Sequence, residues 1–292
     1  MKTTIPQQEL LYSGNAACQG CSALLAMRYC LKALGEKTIV VIPAGCWTIL
    51  SGAFPTTAFK IPMFHTAFET AASCACGVRS ALRMQGKDDI NVLAWAGDGG
   101  TLDIGIQALS GAAERNDDFI YICYDNEAYM NTGIQRSSST PYGAATTTTP
   151  SNMFKNTMKK DIDSIMAAHN IPYMATASIA YPEDFIQKVR SANSVRGLKF
   201  IHMLAPCPPG WKYSSEKTIA LGRLAVSTNV FPLYEVKEGK YIVKRVENRK
   251  PVEEYLSQQG RFKHLSKEET AYIQAEVDKR YEILLKKEQM CS

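Results

Sequence analysis

Asp98 lies in the run Ala94-Trp-Ala-Gly-Asp-Gly-Gly100, and Asn126 lies in Tyr124-Asp-Asn-Glu-Ala-Tyr-Met-Asn131. An anionic oxygen from the first and a neutral carbonyl oxygen from the second suit a hard cation such as Mg²⁺. Gly97, Gly99 and Gly100 carry no side chain, so the backbone can curl tightly and bring N–H groups to phosphate oxygens. The pattern is that of a diphosphate cofactor held through a divalent cation. Gly-Asp-Gly alone is an ordinary turn, and its context is what raises it. Residues 91–96 read as a buried strand, 101–115 as a helix and 119–124 as a second strand. Both groups therefore fall at the carboxyl ends of strands in a β-α-β unit, where open α/β sheets bind ligands. No GxGxxG follows a strand and no GxxxxGK[ST] occurs, so dinucleotide and P-loop readings lose.

Nine cysteines form the second group. Cys18-Gln-Gly-Cys21 is a CxxC, which alone is ambiguous among dithiol redox, zinc and iron–sulfur chemistry. A thioredoxin-like pair wants a strand before it, and residues 10–17 are short and interrupted by polar side chains. A zinc ribbon wants a second CxxC, and there is none. Cys46 and Cys207 each follow an apolar run, so both sit in loops after strands, where thiolates can converge at one sheet edge. Four such ligands suit a [4Fe–4S] cluster better than paired zinc knuckles, although spacing alone leaves zinc open. Cys30, Cys74, Cys76 and Cys123 fall in apolar patterns and read as small buried hydrophobes; Cys291 carries no pattern. His65 could touch a diphosphate or cap the helix after it. His169, His202 and His264 follow no ligand spacing and read as structural.

These groups need elements to hold them. The pattern predicts a helix over 22–34 stopped by Gly35, a strand over 38–42 and a small-residue helix over 67–84. Residues 135–150 lack periodicity and must be loop, either a lid or contact surface or a plain excursion. Beyond it come helix 161–170, strand 173–177, helix 182–192, strand 199–204 and helix 217–228. Residues 233–235 and 240–243 read as a hairpin through Lys237-Glu-Gly239, and 267–287 as a charged amphipathic helix. Repeated βα units predict an α/β fold with a doubly wound, mostly parallel sheet.

The chain has 292 residues, 46% of them apolar, enough for one large α/β domain with an appendage or two small domains. No stretch of about eighteen apolar residues occurs, and residues 1–17 lack the shape of a signal peptide, which predicts a soluble, cytoplasmic protein without membrane contact. The odd cysteine count argues against a disulfide framework. A scattered net charge of +5, with no Lys/Arg block, argues against nucleic acid and suits an acidic partner.

Gly97-Asp-Gly99 followed by Asn126 resembles the thiamine-diphosphate signature. With Cys18-x-x-Cys21, Cys46, the string Asp125-Asn-Glu-Ala-Tyr-Met-Asn-Thr-Gly133 and Cys207 in Ala-Pro-Cys-Pro-Pro-Gly, the chain resembles the β subunit of 2-oxoacid:ferredoxin oxidoreductases, the pyruvate enzyme above all. The resemblance covers residues 10–230. It implies that Asp98, the Asn126 side chain and the Ala128 carbonyl hold Mg²⁺, and that Cys18, Cys21, Cys46 and Cys207 hold a [4Fe–4S] cluster. Residues 1–230 would form the thiamine-diphosphate domain and 231–292 a C-terminal extension. Gly45, His65, Gly100, Asn131 and Thr132 are further candidates for cofactor contact. Many such signatures carry a second asparagine where this chain has Glu127, a departure that points away from decarboxylase and acetolactate members. The activity implied is oxidative decarboxylation of a 2-oxoacid to acyl-CoA and CO₂, with single electrons passing to the cluster and on to ferredoxin. The glutamate that activates thiamine is expected from an α or other partner subunit, with Glu69 read as structural. Branched-chain, aromatic or oxalate substrates stay open, as do a thiamine-dependent lyase or transferase with structural zinc and a non-catalytic electron-transfer or scaffold subunit.

Overall fold

The computed structural model describes residues 5–53 and 55–290; Cys291 lies outside them. Eight strands form one sheet: β1 Thr38–Pro43, β2 Met63–Thr66, β3 Asn91–Gly97, β4 Ile120–Asp125, β5 Tyr173–Ser178, β6 Lys199–Leu204, β7 Tyr234–Lys237 and β8 Lys240–Val243. Their order is β2-β1-β3-β4-β6-β5-β7-β8. The first six are parallel, while β7 runs antiparallel to β5 and β8 antiparallel to β7. The hairpin thus continues the main sheet. Its turn is Glu238-Gly239, both at positive φ, the conformation that matches the twist of a two-residue hairpin.

Alternation along the central strands sorts side chains onto two faces. Leu93, Trp95, Ile120 and Ile122 pack with α1 (Ser22–Leu34), α2 (Cys46–Leu50) and α6 (Pro182–Asn193). Val92, Ala94, Tyr121 and Cys123 pack with α3 (Ala71–Met84), α4 (Ile106–Glu114), α5 (Ile162–Ala168) and α10 (Lys267–Met290). A third cluster gathers Trp211, Leu221, Tyr255 and Ile273 from α7 (Pro208–Trp211), α8 (Thr218–Ser227), α9 (Val252–Leu256) and α10, with Phe231 from the loop after α8. Each large side chain buried in this way contributes roughly 1.5–3 kcal/mol.

Local chemistry sets the helix ends. Gly35 stops α1 at positive φ, its N–H donating to Leu31. Asp161 caps α5 through Ser164 N–H. Ser266 and Glu269 exchange side-chain-to-backbone bonds of 3.1 and 2.7 Å at the start of α10, a reciprocal capping box.

Two expectations change. The single helix over 101–115 is instead a π-turn, Gly99–Asp103, followed by α4. A Cβ on Gly105 would lie 2.0 Å from the Gly100 carbonyl oxygen, so only glycine fits where the π-turn passes into α4. Short β2, α2, α7 and α9 escape the sequence pattern because four or five residues hold no full period.

Candidate functional site

Four adjacent strands, β1, β3, β4 and β6, deliver the candidate residues to one sheet edge. Gly45 and Cys46 follow β1, Asp98 follows β3, Asn126 follows β4, and Cys207 follows β6. The topology therefore juxtaposes groups that are far apart in sequence.

Asn126 Oδ1 faces Asp98 Oδ1 at 3.0 Å and the Ala128 carbonyl oxygen at 2.8 Å, with no donor between them. Turning the amide over would make two hydrogen bonds instead, the arrangement expected without a cation. With its oxygen turned inward, Asn126 stands from Asp98 and from Ala128 at about the 3 Å that separates neighbouring ligands of an octahedral ion with bonds near 2.1 Å. Burial, with the charge of Asp125 nearby, pushes the Asp98 carboxyl well above the usual carboxylate range. A divalent cation would remove that penalty, so the donor set fits Mg²⁺. Ser137 Oγ donates to the other Asp98 oxygen at 2.5 Å.

The glycine segment follows directly. A Cβ on Gly99 would lie 2.1 Å from Tyr129 Cε1, so only glycine admits that ring, and Tyr129 Oη is pinned to Asp103 Oδ2 at 2.6 Å. Gly97 and Gly45 both face the Tyr124 phenol. Gly100 faces Phe68. Thr101 Oγ1 closes the turn on the Gly97 carbonyl at 2.8 Å.

A buried charged network lies behind Asn126. Asp125 accepts from Ser139 Oγ, from Lys159 Nζ at 3.1 Å and from His202 Nε2 at 2.8 Å, and His202 Nδ1 meets Asp163 at 2.9 Å. Burial alone would raise Asp125, but Lys159 and His202 outweigh it and hold the carboxyl below its usual range. Burial opposes a charged His202, yet Asp163 and Asp125 push it up to about 9. His202, which the sequence presents as structural, reaches the site through Asp125. Loop 135–150 is neither lid nor plain excursion on the side of Ser137, Ser139 and Thr140. These hydroxyls are buried against Asp98, Asp125 and the Glu127 carbonyl. Sequence reasoning missed them, and the aperiodic Ser-Ser-Ser-Thr run was their only mark.

The thiols of Cys18, Cys21, Cys46 and Cys207 are electrostatic neighbours: Cys46 is raised in part by Cys21 and Cys18, and Cys207 in part by Cys46, Cys21 and Cys18. Burial is the larger cause, taking Cys46 to about 11 and Cys207 to about 12. Cys21 occupies the N-cap position of α1, where Leu24 and Ala23 N–H groups favour its thiolate without closing a cap hydrogen bond, and burial wins. Ser22 Oγ donates to the Pro206 carbonyl at 2.7 Å, docking the CxxC segment on the Cys207 loop. Gly20, at positive φ, passes so close to Ser215 that a Cβ would lie 2.6 Å from its carbonyl oxygen. Among the described residues, no three His, Cys, Asp or Glu side chains close on a single metal-ion position.

The remaining candidates scatter around the rim. His65, on β2, meets Ser51 Oγ at 3.0 Å and does not cap α3, whose N-cap is Thr70. The Asn131 N–H favours the thiolate of Cys46, and Thr132 Oγ1 donates to Gln135 Oε1 at 2.9 Å. Glu69 is exposed. Cys30 and Cys123 are buried as expected. Cys74 and Cys76 are only half-buried, and the Cys76 thiol donates to Asp117 at 2.9 Å. An apolar cavity of about 230 Å³ lies beneath α10, with Glu127, Lys159, Asp163 and His202 among its lining residues. No helix among the described residues is long and apolar enough to cross a membrane.

Residues 43–203 match the thiamine pyrophosphate enzyme family, C-terminal TPP binding domain, so fold and site define a thiamine pyrophosphate-binding enzyme domain. The chain is 53% identical over 278 residues to pyruvate synthase subunit PorB of Methanothermobacter thermautotrophicus, covering 94% of this chain and 96% of that one. It is 52% identical over 296 residues to ketoisovalerate oxidoreductase subunit VorB of Pyrococcus furiosus, covering 98% and 95%. A 2-oxoglutarate:ferredoxin oxidoreductase from Magnetococcus marinus shares the fold, with TM-score 0.60 at 20% identity over 76% of this chain and 81% of that one. The chain belongs to the β subunits of the 2-oxoacid:ferredoxin oxidoreductase family. This membership favours the oxidoreductase reading over a lyase, transferase or scaffold.

Proposed function

We propose that this subunit holds the diphosphate end of thiamine diphosphate through Mg²⁺, for oxidative decarboxylation of a 2-oxoacid, pyruvate in the first instance. The observation that carries the reading is that the Asp98 carboxylate and the Ala128 carbonyl both lie within 3.0 Å of the Asn126 side-chain amide, at two adjacent strand ends. When bound, the cofactor supplies an electron sink for loss of CO₂. The chain's own part is positional. Asp98, Asn126 and Ala128 hold the cation, Ser137 fixes Asp98, and the glycines let the backbone approach the diphosphate. Cys18, Cys21, Cys46 and Cys207 would hold a [4Fe–4S] cluster, which would supply a one-electron acceptor.

The activating glutamate comes from a partner subunit. Ile49, Phe64 and Ile104 are each about half exposed, apolar side chains that such a chain could cover. Coenzyme A and ferredoxin act on the assembled enzyme. Near-equal identity to PorB and VorB gives a branched-chain oxoacid equal standing as the second substrate to test.

The test uses the complex purified anaerobically with its partner subunits. Pyruvate and ketoisovalerate are compared in viologen reduction with and without coenzyme A, alongside iron and zinc content. Asp98→Ala should abolish cofactor retention while leaving iron in place. Normal thiamine diphosphate affinity in that variant, or zinc in place of iron, would sink the corresponding assignment.

A further inference from the structure

Glu127 stands between two of the oxygens assigned to the cation, the Asn126 side chain and the Ala128 carbonyl. Its φ is +66°, a left-handed conformation that a residue bearing a Cβ adopts only when its surroundings impose it. The side chain is 3% exposed and turned into the protein. Every polar group of this residue is engaged. Its N–H donates to Asp125 Oδ1 at 2.9 Å, and its carbonyl accepts from Thr140 Oγ1 at 2.7 Å. Its carboxylate accepts from Lys159 Nζ at 3.0 Å and from an Arg261 guanidinium nitrogen at 2.6 Å.

Arg261 comes from the C-terminal segment and is itself 2% exposed. Its guanidinium stacks 4.0 Å from the centre of the Trp211 ring, and Gln259 Oε1 accepts from its Nε at 2.9 Å. Trp211 Nε1 in turn donates to the Asn126 carbonyl at 2.8 Å. One buried guanidinium therefore braces both sides of the turn, through Glu127 and through the indole.

We propose that the buried Glu127–Arg261 pair is a clamp that holds the Asn126–Ala128 turn in its cation-binding shape, making Arg261 a positioning residue for the metal. The Glu127 carboxylate is taken up by Lys159 and Arg261. Its bond to a rigid, stacked guanidinium fixes the left-handed kink that aims the Asn126 and Ala128 oxygens at Asp98. This gives the segment after residue 231 a function at the cofactor site. The inference rests on the proposed metal ligands.

The experiment follows Mn²⁺ binding by electron paramagnetic resonance, with thiamine diphosphate present, in the assembled complex carrying Arg261→Gln, Arg261→Lys, Glu127→Gln or Asp98→Asn. Arg261→Gln and Glu127→Gln should weaken Mn²⁺ by about 10–100-fold, as removing the partner of a metal ligand does, with kcat recovering at saturating Mn²⁺. Arg261→Lys should recover part of the loss. Wild-type Mn²⁺ affinity in Arg261→Gln, beside loss in Asp98→Asn, overturns the clamp alone. Wild-type affinity in Asp98→Asn overturns the ligand assignment and the clamp with it. If Arg261→Gln fails to assemble, Glu127→Gln and Arg261→Lys decide, and wild-type affinity in both overturns the clamp.

Discussion

Trp211 Nε1 donates a 2.8 Å hydrogen bond to the backbone carbonyl of Asn126. Trp211 ends the short helix that Cys207 begins, and its own N–H donates to the Cys207 carbonyl at 2.9 Å. One indole thus joins the thiol-bearing loop after β6 to the oxygen-bearing turn after β4. The two candidate centres are parts of one rigid edge.

Trp211→Phe should therefore destabilise the chain by about 2 kcal/mol, since it orphans a buried carbonyl and removes part of a fully buried ring. Thermal melting checks the size. A melting midpoint equal to wild type would mean that the indole bond does not tie the two loops together.

Gly99→Ala should cost about 1–3 kcal/mol, because its Cβ would meet Tyr129 while that ring is tethered to Asp103. Adding Tyr129→Ala should give back part of the loss by opening the space. Equal destabilisation in the single and double variants would locate the strain elsewhere.

His202 titrates at about 9 in the fold against an ordinary 6.5. Because the folded value is the higher one, its charged pairing with Asp125 and Asp163 stabilises fully below 6.5. That contribution fades as pH rises through 9. The stability gap between wild type and His202→Asn, up to about 3 kcal/mol at low pH, should narrow on the alkaline side. Denaturation curves between these limits check it. A gap that widens with pH would reverse the argument.

Burial raises Cys46 to about 11 and Cys207 to about 12, so both are thiols at neutral pH. Loading of the proposed cluster would have to expel their protons. Reconstitution with iron and sulfide should release protons and proceed faster at higher pH, and Cys207→Ser should lose iron. Full iron content in Cys207→Ser would remove that sulfur from the ligand set.

Local pattern carried much of this protein. The Gly-Asp-Gly turn, the CxxC, the apolar run over residues 199–204 and the helix closed by Gly35 are all patterns written within a few residues. Periodicity and capping chemistry therefore reveal them. The loops after β1, β3, β4 and β6 share an edge because parallel pairing follows from repeated βα units.

Tertiary structure alone decided the rest. Ser137, Ser139 and Thr140 look like disposable loop polarity until burial makes each hydroxyl the partner of a site group. His202 has no ligand spacing, yet parallel registry sets it beside Cys123 on the neighbouring strand, two residues from the Asp125–Leu204 end of the ladder. Arg261 lies far along the chain from Glu127, and no periodic pattern relates them. A desolvated ion pair is fixed by folding in three dimensions, where two distant segments exclude water together.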